Sequence, residues 1–315
     1  MTNDTIATST VDPKIVAPKI VAPKIVVGVD GSDPSISALK WAAYEAQRRS
    51  ADILAVSCYS VPMYGGAMGV VSPTNEDLDM FKAGADAVVA RATELVAEID
   101  PQLVVEGLVE MSAAPTTIVH AARAGDEIVV GSTGRSGFID GLLGSVATSV
   151  MHRSHVPVVV VPAKSVAEAG PKMHKIVVGV DGSASSLQAL EWAYGEALST
   201  GAELTVVHAW IYPYDGPRTS VSEPRTQMQL DATEELNTSV ESLGARRNSD
   251  SVRIHAKVVE QSPAEALLDE ASDADLLVVG SRGRGLLLTS LLGSVCHTVV
   301  HHAMCPVAII HQPDA

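Results

Sequence analysis

Unbroken apolar runs alternate along this chain with stretches in which apolar positions recur every three or four residues, and the whole alternation occurs twice. Lys24 to Val29 reads as a buried strand. From Asp33 the pattern turns helical, with Ile36, Leu39, Ala43 and Ala46 on one face, Lys40, Gln47 and Arg48 elsewhere, and Pro34 in the first turn. Ile53 to Cys58 predicts a second strand, Tyr59 to Thr74 a Pro/Gly-rich loop, and Asn75 to Ile99 a long helix closed by Asp100-Pro101. Leu103 to Val109 follows as a strand, Pro115 to Ala124 as a short helix, Glu127 to Val130 as a strand, Val146 to Arg153 as a helix and Val156 to Val161 as a last strand.

After a polar, proline-bounded stretch, the series returns as Lys175 to Val180, a helix carrying Leu187, Leu190, Trp192 and Glu196, then Leu204 to Ala209, Glu223 to Leu243, Val252 to Val259, Pro263 to Ala271, Leu276 to Val279, Val295 to His302 and Val307 to Ile310. Trp41 and Glu45 hold the places of Trp192 and Glu196. The copies lie about 150 residues apart, far beyond the period of a solenoid, so the pattern is a domain duplication. Alternating strands and helices need crossover connections, hence a parallel sheet covered on both faces. The expected architecture is α/β, two tandem Rossmann-like domains: an extension over 1–23 with a tandem Pro-Lys-Ile-Val-Ala repeat, a first domain over 24–162, a linker over 163–173 and a second domain over 174–312.

A length of 315 residues suits two cores. Hydrophobic residues make up 46% of the chain and aromatics only 3%, so those cores must be built from Val, Ile, Leu and Ala. A formal charge of −15 argues against a general nucleic-acid surface. No apolar run approaches a membrane span, and the first residues have neither a basic nor an apolar leader region. Cys58, Cys296 and Cys305 form neither an even framework nor a Cys-x-x-Cys pair. These features together predict a cytoplasmic protein.

Two loops carry the candidate chemistry. Gly131-Ser132-Thr133-Gly134-Arg135-Ser136-Gly137 follows a buried strand, and Gly144-Ser145-Val146 opens the next helix. Gly280-Ser281-Arg282-Gly283-Arg284-Gly285 and Gly293-Ser294-Val295 repeat that arrangement. Gly, two residues, Gly, nine residues, Gly-Ser between strand and helix reads as a phosphate cradle. Its glycines are expected to take left-handed conformations and let oxygens approach, its N–H groups to form an anion nest, and Ser145 and Ser294 either to donate to phosphate or simply to cap their helices.

Gly28-Val29-Asp30-Gly31-Ser32, Gly179-Val180-Asp181-Gly182-Ser183, the Gly-x-x-Gly-nine-Gly-Ser loops and the following His-x-x-x-(Cys/Val)-Pro-Val together resemble the universal stress protein family in its tandem, ATP-binding form. The resemblance covers Lys24 to Pro162 and Lys175 to His311. It implies five-stranded parallel sheets of order 3-2-1-4-5, ATP with or without Mg2+ at the carboxyl ends of strands 1 and 4, and two modules paired within the molecule through their last strands. Association of two such chains into a homodimer is left open. Members act as nucleotide-bound regulators of stress survival, dormancy or growth, with little or no turnover.

With that strand order the sheet reverses between strands 1 and 4, and a crevice opens there. Gly28, Asp30 and Gly131 would meet in one crevice, Gly179, Asp181 and Gly280 in the other. Asp30 and Asp181 suit ribose hydroxyls or the adenine amine, or an Asx turn onto the next residues. Arg135, Arg282 and Arg284 suit phosphate, or solvent. Asp140 in the first loop, where the second has Thr289, predicts tighter binding at the second site. No Gly-x-x-x-x-Gly-Lys-Ser/Thr, Gly-x-Gly-x-x-Gly or Gly-x-Ser-x-Gly occurs at the relevant turns, so P-loop ATPase, dinucleotide dehydrogenase and esterase chemistry lose their motifs. The competing readings are an interaction scaffold with structural glycines and a weak ATP hydrolase. His297 and His301, four apart near the end of the last helix, read as a solvated or capping cluster rather than metal ligands. Trp41 and Trp192 read as core, as do Cys58 and Cys305, both placed on strands.

Overall fold

The computed structural model describes residues 23–61, 64–66, 69–71, 73–134, 143–162, 172–212, 224–244, 252–284 and 292–312. The tandem extension over 1–22 and most of the linker, 163–171, lie outside the described residues.

The first half runs β1 (Lys24–Gly28), α1 (Asp33–Arg49), β2 (Asp52–Tyr59), β3 (Tyr64–Gly66), β4 (Gly69–Val71), α2 (Asn75–Ile99), β5 (Val105–Met111), α3 (Ala114–Ala121), β6 (Glu127–Gly131), α4 (Ser145–Arg153) and β7 (Val158–Val161). The second runs β8 (Lys175–Gly179), α5 (Ala184–Thr200), β9 (Glu203–Trp210), α6 (Arg225–Glu241), β10 (Ile254–Glu260), α7 (Pro263–Glu270), β11 (Leu276–Gly280), α8 (Ser294–His302) and β12 (Val307–Ile310). Within each half the main strands lie in the order 3-2-1-4-5 and pair in parallel. The Tyr59 to Thr74 stretch differs from the expected loop, because Tyr64–Gly66 and Gly69–Val71 pair as a short antiparallel hairpin.

β7 and β12 pair antiparallel, Val159 opposite Ala308, so ten strands form one sheet, β10-β9-β8-β11-β12-β7-β6-β1-β2-β5. Alternation of side chains across the strands gives that sheet two apolar layers. Ile25, Val27, Val129, Val159, Ile176 and Val178 pack with α1, α2, α5 and α6 on one face. Val26, Ile128, Val130, Val158, Val160 and Val177 pack with α3, α4, α7 and α8 on the other. Each layer runs without a break from one half into the other. The residues are small and aliphatic, as the low aromatic content requires; Trp41 is buried.

Local chemistry sets the helix ends. Ser32 and Ser183 cap α1 and α5 by accepting from the N–H groups of Ser35 and Ser186. Thr74 and Asp77 form a reciprocal capping box on α2. α1 closes at Ser50 in a left-handed conformation, φ 52°, where α5 closes at Gly201, φ 75°.

Charged side chains cross the seam between the halves. Arg48 and Arg49 of α1 reach Glu196 of α5, Arg49 also reaches Glu45 and Glu127, and its guanidinium lies 5.8 Å from the Trp192 ring centre. His311 donates from Nε2 to the Met151 carbonyl at 2.7 Å. No helix among the described residues is long and apolar enough to cross a membrane.

Candidate functional site

Each site is assembled at the carboxyl ends of the central strands, β1 and β6 in the first half, β8 and β11 in the second. At the end of β8, Asp181 accepts from Ser183 twice through Oδ1, from the backbone N–H at 3.0 Å and the hydroxyl at 2.6 Å. Its Oδ2 accepts from the Arg284 N–H at 3.1 Å. One carboxylate therefore closes the first turn and anchors the glycine loop above β11. Burial alone would raise this carboxyl, but hydrogen bonds led by Ser183 outweigh it and hold Asp181 below the usual range. Asp30 makes the same turn, taking the Ser32 N–H at 2.9 Å and hydroxyl at 2.6 Å. The Asx-turn role is thus present at both positions, and it leaves the following glycines left-handed: Gly31 at φ 81° and Gly182 at φ 70°.

The loop glycines correct an expectation. Among the described residues, Gly131, Gly134, Gly144, Gly280, Gly283 and Gly293 are not left-handed; Gly144 and Gly293 have φ of −68° and −72°. What they supply is room. A Cβ on Gly131 would stand 2.6 Å from the Pro34 carbonyl carbon, and one on Gly280 2.8 Å from that of Ser185, so the starts of α1 and α5 lie directly on these strand ends. A Cβ on Gly134 or Gly283 would stand 2.9 or 2.6 Å from Oδ2 of Asp30 or Asp181. Gly28 and Gly179 leave space that Ile118 and Leu267 fill, at 2.8 and 2.9 Å from the missing Cβ, so their want of a side chain serves apolar packing.

The donors are also fewer than the motif suggests. The N–H groups of Ser132 and Ser281 bond to the Val161 and Ile310 carbonyls, and those of Gly144 and Gly293 return to the Ser132 and Ser281 carbonyls. The loop mouth is thereby pinned to the last strand. Ser145 and Ser294 do not cap their helices: Gly144 and Gly293 occupy the cap position without a side-chain bond, and the serines are the exposed first residues of α4 and α8. A glycine cap leaves the first-turn N–H groups, including those of Ser145 and Val146 or Ser294 and Val295, without an intrahelical partner. Those groups and the serine hydroxyls form the donor set at each helix mouth. Thr133 is half-buried beside Gly144, and Arg282 is exposed. Arg135, Ser136, Gly137 and Gly285 lie outside the described residues, as do Asp140 and Thr289.

Sequence reasoning missed the second half's surroundings. Arg284 folds away from its loop onto Glu235 of α6, with Nη1 donating to Oε2 at 2.9 Å and Nη2 paired with Oε1. His208, buried near the end of β9, sits with Nδ1 3.0 Å from the Val180 carbonyl and Nε2 3.9 Å from Glu235. A histidine inside the buried run LTVVHAW was the available signal.

The ring centres of His297 and His301 are 4.5 Å apart, and no group of three metal-ligating residues occurs among the described residues. Cys305 lies in the turn before β12 rather than on a strand, and it is buried, as is Cys296. Burial raises Cys305 to about 11 and Cys296 to about 12, so both are poor nucleophiles. Cys58 is half-buried.

Two doubly wound halves of one sheet, each with an Asp turn and a glycine loop at its switch point, define a two-module α/β protein. The universal stress protein family matches residues 22–162 and again 172–311, and the chain belongs to that family. Similar curated relatives are universal stress protein Rv2005c of Mycobacterium tuberculosis, 32% identical over 293 residues covering 91% of this chain and 96% of the relative, and Rv1996 of the same organism, 32% identical over 304 residues covering 92% and 95%. Among solved structures, a universal stress protein from Archaeoglobus fulgidus shares the fold with a TM-score of 0.67 at 22% identity, covering 92% of this chain and 97% of that one.

Proposed function

We propose that this chain is an ATP-binding regulator of stress response, dormancy or growth, with one nucleotide site at each switch-point crevice and without a catalytic role. The observation that carries the reading is the doubled helix mouth. α4 and α8 each begin at a glycine that offers no side-chain cap, with an exposed serine next and a glycine loop folded against an Asp turn beside it. A helix start left in this way favours phosphate through its N–H groups and its dipole. Mg2+ would enter as the counter-ion of the phosphates, because both oxygens of Asp181 already accept hydrogen bonds. We further infer that the halves act as one internally paired unit, with the β7–β12 ladder placing two crevices on a single sheet.

The competing scaffold reading draws on the glycines themselves, since packing alone accounts for Gly28, Gly131, Gly179 and Gly280. Substituting those glycines would therefore damage the fold and leave the two readings unseparated. Ser145→Glu and Ser294→Glu separate them. A carboxylate at the first position of a helix suits the dipole and keeps the helix, yet it stands where phosphate would bind. Titration calorimetry with ATP is expected to give saturable binding to the native chain, loss of one site in each variant and loss of both in the double variant, with unchanged melting temperatures. Saturable ATP binding that survives both substitutions refutes the placement, and no binding to the native chain favours the scaffold.

A further inference from the structure

The second crevice is bordered by a cation that is already engaged. Arg284 follows Gly283, whose nitrogen would lie 3.7 Å from a Cβ on Gly293, so this residue leaves the loop beside the start of α8. Its main chain is fixed by the Asp181 carboxylate. Its side chain turns to Glu235 and crosses Gly182, where a Cβ would collide with both the guanidinium and the Glu235 carboxylate. Gly182 thus serves the crossing as well as the turn.

Beneath the pair lies a cavity of about 410 Å³ between α5 and α6, lined by Gly182, Leu187, Glu234, Glu235, Thr238 and Arg284 among others. Asp231 also lines it, so the cavity is bordered by three carboxylates of α6 and one guanidinium, of which Glu235 holds the guanidinium. His208 lies behind Glu235, with Nε2 3.9 Å from the carboxylate and beyond hydrogen-bond reach. A carbonyl can only accept, so the contact with Val180 places the ring proton on Nδ1 and turns Nε2 toward the carboxylate. In the first half, strand register puts Ser57 where His208 stands, since Gly28 pairs with Val56 as Gly179 pairs with Val207. The His208–Glu235 arrangement belongs to the second half.

We propose that Glu235 is a built-in competitor for the nucleotide's phosphates at the second crevice, holding Arg284 in an autoinhibitory ion pair that ATP must break. This inference rests on the ATP reading of that crevice. With both Nη atoms of Arg284 on Glu235, a phosphate takes that edge of the guanidinium only by displacing the carboxylate. Transfer of the guanidinium to a phosphate leaves Glu235 on α6 without its ion-pair partner. Occupancy of the crevice is thereby coupled to α6, and the coupling is reciprocal: whatever loosens the pair at α6 raises affinity for the nucleotide.

The test measures ATP and adenosine binding by calorimetry in a Ser145→Glu background, which leaves the second site as the reporter. Glu235→Gln keeps the side chain's shape and removes its charge. It is expected to tighten ATP by about fivefold, the scale of a partly exposed ion pair, and to leave adenosine unchanged. Glu234→Gln, which lines the same cavity, is expected to leave both affinities unchanged, and Glu235→Gln combined with Arg284→Gln to lose the gain. Hydrogen exchange over 225–241 is expected to rise when ATP binds the parent and to be flatter in Glu235→Gln. Unchanged or weaker ATP binding in Glu235→Gln overturns the proposal, as does an equal gain from Glu234→Gln or a gain that survives loss of Arg284. Absence of ATP binding from the native chain as well as the variants overturns the underlying reading instead.

Discussion

Glu127 is expected to make the protein less stable as pH rises through neutrality. The residue opens β6 at the seam, 2% exposed, with Oε2 3.2 Å from Arg49 and Oε1 buried without a hydrogen-bond partner among the described residues. Glu45 and Glu196, also buried, share the same two arginines, so three carboxylates face two positive charges. Burial is the main cause, opposed by Arg49 and reinforced by Glu45 and Glu196, and it pushes Glu127 up to about 8 from 4.5. Between those values the native state keeps a proton that the unfolded chain has released. The stabilisation is complete below about 4.5 and is lost as pH rises through about 8. One proton gives a slope of about 1.4 kcal/mol per pH unit, hence roughly 2–3 kcal/mol between pH 5.5 and 7.5. Glu127→Gln imitates the protonated acid and still accepts from Arg49. Denaturant unfolding of both proteins at pH 5.5, 6.5, 7.5 and 8.5 is expected to show an advantage for the variant that grows by about 1.4 kcal/mol per pH unit up to pH 7.5 and levels off above about 8. A stability difference that does not change with pH, or one that favours the native chain more at high pH, refutes the reasoning, because it means that an ionised Glu127 is paired productively with Arg49.

Removing the cation is expected to be far worse than neutralising the acid. Arg49→Met leaves Glu127 without its cation and Glu45 and Glu196 with Arg48 alone, and should cost about 3–5 kcal/mol, read from the same unfolding curves. Ser50→Gly should stabilise by about 0.5–1 kcal/mol by relieving the left-handed cap that Gly201 already relieves in α5, and a fall in melting temperature would contradict this. Thr74→Ala breaks the capping box of α2 and should cost about 1 kcal/mol. Calorimetry on the Ser145→Glu and Ser294→Glu variants should show the second site tighter than the first, as Asp140 in the first loop predicts; equal affinities would remove that argument.

The fold was legible wherever burial is two-sided. Runs such as IVVG and LLVVG have no polar face, so they located β1 and β11 to within a residue, and Thr74 with Asp100-Pro101 bounded α2 on both sides. The β3–β4 hairpin was hidden because its Gly-rich strands have no apolar alternation. At the sites, duplication exposed the Asp turns and glycine loops, but not why the glycines are there. The atoms that exclude a Cβ belong to Pro34, Ile118, Ser185 and Leu267, residues remote in sequence from the glycines they constrain. The same holds for Arg284, whose partner Glu235 sits on a different element, and for the seam, where Arg48 reads as the solvent face of a helix until Glu196 is brought against it.

The seam also distinguishes this chain from a symmetric pair of identical modules. Glu45 and Glu196 hold equivalent places on α1 and α5, and both are buried. Their neighbours differ: Arg48 and Arg49 on α1 face Ser199 and Thr200 at the same turns of α5, and Glu127 on β6 stands where β11 has Leu276. All of the positive charge that satisfies the shared carboxylates therefore comes from the first half. Two copies of the second half joined in this way would bury a pair of glutamates with no arginine between them, at a desolvation cost of several kcal/mol for each ion. Two copies of the first half would bring four arginines to four carboxylates, Glu45 and Glu127 from each copy. Only the mixed pair puts three carboxylates on two arginines, and that single charge imbalance favours a retained proton. The duplication has thus diverged at its seam so that the second half depends on the first for its charge balance, while the crevices at the strand ends have diverged through His208 and Ser57. A chain of two identical modules would have neither difference, and with it neither the retained proton nor a second crevice with its own surroundings.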